Sequence, residues 1–337
     1  MKAAVWYGEN DVRVEEIKKP SIKEGEVLIK VRAAGICGTD LTIYKGKFPR
    51  SRPPLIPGHE FAGEVVAVKN VPSHLKIGDR VVVNPLLFCG RCIACKMGFS
   101  NACPKLRLIG VDIDGAFAEF VKASWEKVHK IPSNFPFETA ALIEPVAVAL
   151  HAVKKSTCGI GDLIMVMGAG PIGILVAMIA RIAGASQVIV TEVLEYRVKL
   201  AKKLGFCVID SSKSNVVEKV CEMTKGRGVD VVFDTAAVPQ VASQLVSLIR
   251  PRGKIVIIGL YKEPSPVDLL DMIFKEAHLL GSRVYSEIDF EKAADLVTSG
   301  KIKIESLITH RLSLKEVKEG IKLLEKGKNV MKVVVFP

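Results

Sequence analysis

The chain of 337 residues carries 48 Lys and Arg against 36 Asp and Glu, a formal charge of +12, with 49% hydrophobic residues and eight cysteines. That length exceeds one comfortable core and suits two domains, and the charged-to-apolar balance excludes a disordered chain or a small disulfide-stapled one. The basic residues are spread among acids and not clustered, so the excess charge reads as a solvated surface and no nucleic-acid partner is expected. A count of three Gln among many Lys and Glu leans toward a heat-adapted source.

The first residues, Met1 to Gly8, hold no apolar segment followed by small-residue cleavage chemistry, so a cytoplasmic location is expected. The first third then reads as short strands. Val27, Ile29 and Val31 alternate with Glu26, Lys30 and Arg32, and 61–68 and 80–83 are similar runs punctuated by turn residues such as Gly78-Asp79. An antiparallel β region follows from that pattern. Within it stand Cys37, in Gly35-Ile36-Cys37-Gly38-Thr39-Asp40, and His59-Glu60, with Glu144-Pro145 further on. One thiolate, one imidazole and one carboxylate form a suitable set for a zinc ion that keeps an exchangeable position. On spacing alone, a small buried hydrophobe at Cys37 and a hydrogen-bonding imidazole at His59 are the commoner roles of such residues.

Cys89, Cys92, Cys95 and Cys103 crowd into one loop with the spacing C-x2-C-x2-C-x7-C, and Gly90 and Gly98 let the chain curl. A scattered secreted disulfide framework would not look like this, so the cluster indicates a metal in a reducing compartment. Four thiolates saturate a tetrahedral zinc and mark a structural site, with an iron–sulfur cluster as the chemical rival.

After about residue 145 the character changes. Apolar runs at 163–167, 187–191, 229–233 and 254–258 alternate with helical spacing, as at 196–204, which is the signature of a doubly wound parallel sheet. The stretch 163–180 has no charged residue over eighteen positions, long enough for a membrane span. Gly168-Ala169-Gly170-Pro171-Ile172-Gly173 in its middle argues instead for a strand, a turn and a helix, so no membrane partner is expected.

In that turn, Gly168, Gly170 and Gly173 have the dinucleotide-binding spacing, and Glu192 lies nineteen residues beyond the last of them at the end of the next apolar run. A carboxylate there accepts hydrogen bonds from ribose hydroxyls and repels a 2′-phosphate, so NAD is expected over NADP; Arg197 nearby is the residue that complicates this choice. The tail carries an amphipathic helix from about 289, a Lys-rich helix at 314–324 and a last strand at 331–336.

Taken together, Gly35 to Asp40, Gly58-His59-Glu60, the four-Cys loop, Gly110-x4-Gly115-x-Phe117-Ala118-Glu119-Phe120, Glu144-Pro145 and the glycine turn carry a resemblance over essentially the whole chain. The chain resembles the zinc-dependent medium-chain alcohol dehydrogenases, in the branch of sorbitol, threonine and sugar-acid dehydrogenases. The resemblance implies an α/β protein with a GroES-like catalytic domain at 1–145 completed by 284–337, and a Rossmann NAD-binding domain at 146–283. It implies that Cys37, His59 and Glu60 hold a catalytic zinc, with Glu144 as fourth ligand or exchanging partner, and that Cys89, Cys92, Cys95 and Cys103 hold a structural one. It further implies that Ile172, Glu192, Arg197, the turn Ile258-Gly259-Leu260, and Ser282 with Arg283 contact NAD. Thr39 matches the hydroxyl that passes the alcohol proton outward. Where many relatives have a His three positions later, this chain has Thr42.

The expected activity is oxidation of a secondary hydroxyl on a polyol, sugar acid or related alcohol. A threonine- or butanediol-type activity, and a non-catalytic NAD-binding regulator, are the alternatives. Relatives are commonly dimers or tetramers, so a homo-oligomer is expected. His151 reads as a packed residue or a support for the site. Arg283 and His310 are similar to positions in the sugar-acid enzymes, where a substrate carboxylate and an interdomain ion pair are both open.

Overall fold

A computed structural model describes residues 1–337 and divides them into two compact units, Met1–Glu144 with Ser286–Pro337, and Pro145–Tyr285. The first unit is built on a seven-stranded sheet. Its order is Ile308–Ser313, Lys332–Phe336, Glu26–Ile36, Glu60–Lys69, Arg80–Val83 and Val128–Lys130, and Phe120–Ser124 also pairs with Glu26–Ile36. Pairing is antiparallel except between Ile308–Ser313 and Lys332–Phe336, which run parallel. The strand Glu26–Ile36 sits between neighbours on both sides, and its alternating sequence gives way to continuous burial from Ala33 to Ile36. That apolar end delivers the chain to Cys37.

The second unit is a six-stranded parallel sheet ordered Cys207–Asp210, Gln187–Glu192, Leu163–Met167, Val229–Asp234, Ile249–Ile257 and His278–Gly281. The four central strands are the four apolar runs of the sequence. The two edge strands escape such a reading, because an edge strand need not be apolar on both faces; His278–Gly281 is largely exposed. The uncharged stretch 163–180 resolves into the fully buried strand Leu163–Met167, the glycine turn and the helix Pro171–Ile182. No helix of the chain is long and apolar enough to cross a membrane.

The sequence places a helix at 196–204, and the structure has Glu195–Lys203. The Lys-rich segment at 314–324 is a short 3-10 turn, Leu314–Glu316, running into the helix Val317–Lys326, which ends at Gly327 with φ of 64°.

Candidate zinc and dinucleotide sites

Cys37 directly follows the strand Glu26–Ile36 and caps the helix Gly38–Tyr44, its N–H donating to Asp40 Oδ2 at 2.8 Å. Register puts Gly35 opposite Glu60 on the neighbouring strand, so His59 and Glu60 arrive beside Cys37. Ligand atoms of Cys37, His59 and Glu60 lie within 4.8 Å of one another, and His59 and Glu60 are buried. His59 Nδ1 faces Asp40 Oδ1 at 3.6 Å, which leaves the other ring nitrogen to coordinate. Burial opposes a charge on His59, but the Asp40 carboxylate and then Cys37 outweigh it and hold the imidazole well above its ordinary value in the metal-free chain.

Two buried polar atoms here, Asp40 Oδ1 and His59 Nδ1, face each other without a hydrogen bond, while Glu60 Oε2 is ion-paired with Lys332. The Cys37 thiol, the His59 imidazole and the Glu60 carboxylate, with ligand atoms within 4.8 Å of one another, make a donor set that fits zinc. Glu144 stands outside this cluster, buried in the first turn of the helix Ile143–Ser156. Its charge nevertheless reaches the neighbourhood. Burial pulls Lys332 down, and Glu60, Cys37 and Glu144 together raise it above the ordinary lysine value.

Thr39 Oγ1 lies 3.8 Å from Cys37 Sγ. Thr42 Oγ1 donates to the carbonyl of Gly38 at 3.0 Å, so its hydroxyl is bound within its own helix.

The second cluster is Cys89, Cys92, Cys95 and Cys103, also within 4.8 Å. Its sulfur–sulfur separations are 3.4 Å (Cys92 to Cys95), 3.8 Å (Cys92 to Cys103) and 3.6 Å (Cys103 to Cys89). A disulfide needs about 2.05 Å, whereas tetrahedral thiolates about 2.3 Å from zinc stand roughly 3.8 Å apart. Backbone N–H groups of Arg91 and Cys92 pull Cys89 down to about 6, and desolvation and Cys92 push Cys95 up to about 12. Loading the cluster with a metal would therefore release a proton from Cys95, which desolvation and the Cys92 thiol keep protonated.

In the second unit, Gly168 ends the strand Leu163–Met167 with φ of 100°, and Gly170 caps the helix Pro171–Ile182. A Cβ at Gly173 would sit 1.9 Å from the carbonyl oxygen of Gly168, so the turn closes only around a bare α-carbon. A closed glycine turn at a helix N-terminus has the geometry that can cradle a pyrophosphate. Thr235, from the next strand, donates to the carbonyls of Met167 at 2.9 Å and Gly168 at 3.2 Å and clamps the turn.

Glu192 ends the strand Gln187–Glu192. Its Oε1 accepts from the N–H of Val193 at 2.7 Å and Leu194 at 3.0 Å, and its Oε2 from Ala169 at 3.2 Å. Arg197 Nη1 lies 3.8 Å from Glu192 Oε2, and its buried Nε has no hydrogen-bond partner. Ile258 and Gly259 donate their N–H groups to Asp234 at 2.9 and 3.0 Å, while Leu260 is exposed. Ser282 Oγ is buried without a partner, and Arg283 is exposed. Ile172 is half-buried in the first turn of the helix. His310 Nδ1 rests 3.0 Å from Thr309 Oγ1.

Sequence reasoning passes over Asp40, Asp234, Thr235, Tyr261 and Lys332. Asp234 is fully buried, accepts from the N–H groups of Ala236 and Ala237, and receives the phenol of Tyr261. Its signal is an acid at the carboxyl end of a parallel strand, where ligands of such sheets bind. For Lys332 the signal is a cation opening an otherwise apolar strand.

Residues 23–133 match the alcohol dehydrogenase GroES-like domain family, and residues 171–299 match the zinc-binding dehydrogenase family. A sorbitol dehydrogenase from Bacillus subtilis is 35% identical over 100% of this chain and 97% of its own length. A zinc-binding dehydrogenase from Sinorhizobium meliloti, solved with NADP, is 34% identical with a TM-score of 0.94 over 100% of this chain and 99% of its own. An alcohol dehydrogenase from Escherichia coli, solved with NADH, is 32% identical with a TM-score of 0.94 over the same shares. Two candidate metal-ligand clusters in a GroES-like unit, a doubly wound sheet and full-length relatives agree: the chain belongs to the zinc-dependent medium-chain alcohol dehydrogenases, oxidoreductases that act on CH–OH groups.

Proposed function

We propose that this protein oxidises a secondary hydroxyl of a polyol, sugar acid or related alcohol, with NAD as hydride acceptor. The observation that carries the reading is the convergence of Cys37, His59 and Glu60, with His59 and Glu60 buried and the ligand atoms within 4.8 Å of one another. When bound there, zinc supplies a Lewis acid that makes an alcohol proton acidic, and NAD takes up hydride.

The chain's own residues do the rest. Asp40 orients His59, and the Thr39 hydroxyl beside Cys37 is the group that moves the alcohol proton outward. Thr42 cannot extend that path, since it donates to Gly38. Cys89, Cys92, Cys95 and Cys103 hold the structural zinc. Gly168, Gly170 and Gly173 receive the pyrophosphate, with Ile172, Arg197, Ile258, Gly259, Leu260, Ser282 and Arg283 about the rest of the dinucleotide. The preference for NAD rests on Glu192, whose buried carboxylate would repel a 2′-phosphate.

Self-assembly accompanies this reading. The helix Leu269–Phe274 exposes Leu269, Leu270, Ile273 and Phe274 next to the sheet edge His278–Gly281, which suits a second copy of the chain. The eight cysteines are free of disulfides, as a reducing compartment maintains.

The test is NAD and NADP reduction across a library of polyols, sugar acids, threonine and butanediol, with zinc measured on the same sample. Turnover with NAD and two zincs per chain is expected, falling to one zinc and no turnover in Cys37→Ser. NAD binding without turnover on any alcohol would overturn it in favour of a regulator.

A further inference from the structure

The buried ammonium of Lys332 is used by nothing described above. Its strand, Lys332–Phe336, pairs with Glu26–Ile36 in a register that sets Val334 opposite Gly35 and Val333 opposite Ile36. Gly35 is in turn opposite Glu60. The cross-strand row is thus Glu60, Gly35 and Val334, with Lys332 two positions before Val334 on the same strand, and the Glu60 carboxylate crosses over Gly35 to reach the lysine. The crossing is tight. A Cβ at Gly35 would lie 2.2 Å from Glu60 Oε2 and 3.2 Å from Lys332 Cε. Lys332 donates to Glu60 Oε1 at 2.5 Å and is ion-paired with Oε2 as well, so the ammonium bridges both carboxylate oxygens.

We propose that Lys332 is a positioning residue for the metal site, gripping the Glu60 carboxylate so that it is held beside Cys37 and His59 to meet the metal. This rests on the reading that Cys37, His59 and Glu60 hold zinc. A buried ion pair is a poor device for stability alone, since apolar residues of similar volume often serve as well. Here the strand is otherwise valine-rich, and a glycine interrupts the middle of the sheet to make room for the pair, a choice that weakens a strand. The groups that act on the ammonium are Glu60, Cys37 and Glu144, all of them candidate site residues.

The experiment follows zinc release into a chromogenic chelator from the full chain loaded at both sites. The four-Cys zinc is an internal control for folding. Lys332→Met is expected to release the Cys37-site zinc about 10- to 100-fold faster, the scale of losing an outer partner of a ligand. Lys332→Arg, which keeps a charged donor, is expected to restore slow release. In a Glu60→Gln background, Lys332→Met is expected to add nothing, because the lysine acts through that carboxylate. With cobalt in place of zinc, the visible bands are expected to shift in Lys332→Met and to return in Lys332→Arg.

Release at the wild-type rate with unchanged cobalt bands, or an equal acceleration in the Glu60→Gln background, overturns the proposal. If Lys332→Met does not fold, Lys332→Gln takes its place in the same cycle, with the same outcomes for and against. Failure of the underlying zinc reading is separable, for wild type and Cys37→Ser would then bind the same number of zincs per chain.

Discussion

The phenol of Tyr261 donates to Asp234 Oδ2 at 2.5 Å, tying the loop after the strand Ile249–Ile257 to the carboxyl end of the strand beside it. Burial and then Asp234 push the phenol well above its ordinary range, so it stays a donor at any working pH. Tyr261→Phe leaves a fully buried carboxylate short of one charged hydrogen bond, a loss of about 1.5–3 kcal/mol in stability. A lower melting temperature and an NAD dissociation constant raised about threefold to tenfold are expected by calorimetry; an unchanged pair of values would remove the role assigned to this link.

Arg250 Nε binds Asp230 Oδ1 at 2.5 Å, and Asp230 Oδ2 accepts the N–H of Leu163 at 2.7 Å. Burial favours the neutral acid, but the Arg250 and Leu163 hydrogen bonds outweigh it and lower the Asp230 pKa. A carboxyl held lower in the folded than in the unfolded chain contributes stability above its unfolded value, and that stability is lost as pH falls through the folded one. With Arg250 partly exposed, the contribution is about 1 kcal/mol. Denaturant titrations are expected to separate wild type from Asp230→Asn at pH 7 and to converge below about pH 4.

Cys103→Ser removes the buried member of the four-thiol cluster. One zinc per chain is expected to disappear by elemental analysis, and amides in the loop 89–103 to exchange faster, while the sheets keep their protection. An iron content in the wild-type protein would instead mark the rival cluster.

Gly173→Ala places a methyl group against the Gly168 carbonyl. The turn must open, and NAD affinity is expected to fall more than tenfold with zinc content unchanged. Binding at the wild-type level would show that the turn does not cradle the pyrophosphate.

Thr39→Val is expected to lower kcat about 10²-fold, the low end for loss of a proton-transfer group. Thr42→Val removes a hydroxyl that serves its own helix and is expected to leave kcat within about twofold. Equal losses in the two variants would contradict a proton path through Thr39.

Much of this arrangement is legible in the sequence, and the rest is hidden for identifiable reasons. Cys89 to Cys103 and Gly168 to Gly173 are readable because their chemistry is local, with ligands and turn residues a few positions apart. The four central strands of the parallel sheet announce themselves by burial on both faces. Cys207–Asp210 and His278–Gly281 do not, since an edge strand needs no such pattern. Cys37 and His59 become a site only through the resemblance. Lys332 is invisible, because its meaning depends on the register of three strands and on a partner 272 positions away.

That separation also orders the two metal centres in time. The four thiols span fifteen positions and require no distant strand, so they are competent to capture zinc as soon as their loop is synthesised. The Cys37 centre is floored by Gly35, whose neighbour on one side is the strand Lys332–Phe336, made only after the whole nucleotide-binding unit. A nascent chain thus carries its structural ion long before its catalytic pocket closes, and a ribosome-stalled product ending ahead of residue 332 holds one metal ion firmly and the other weakly.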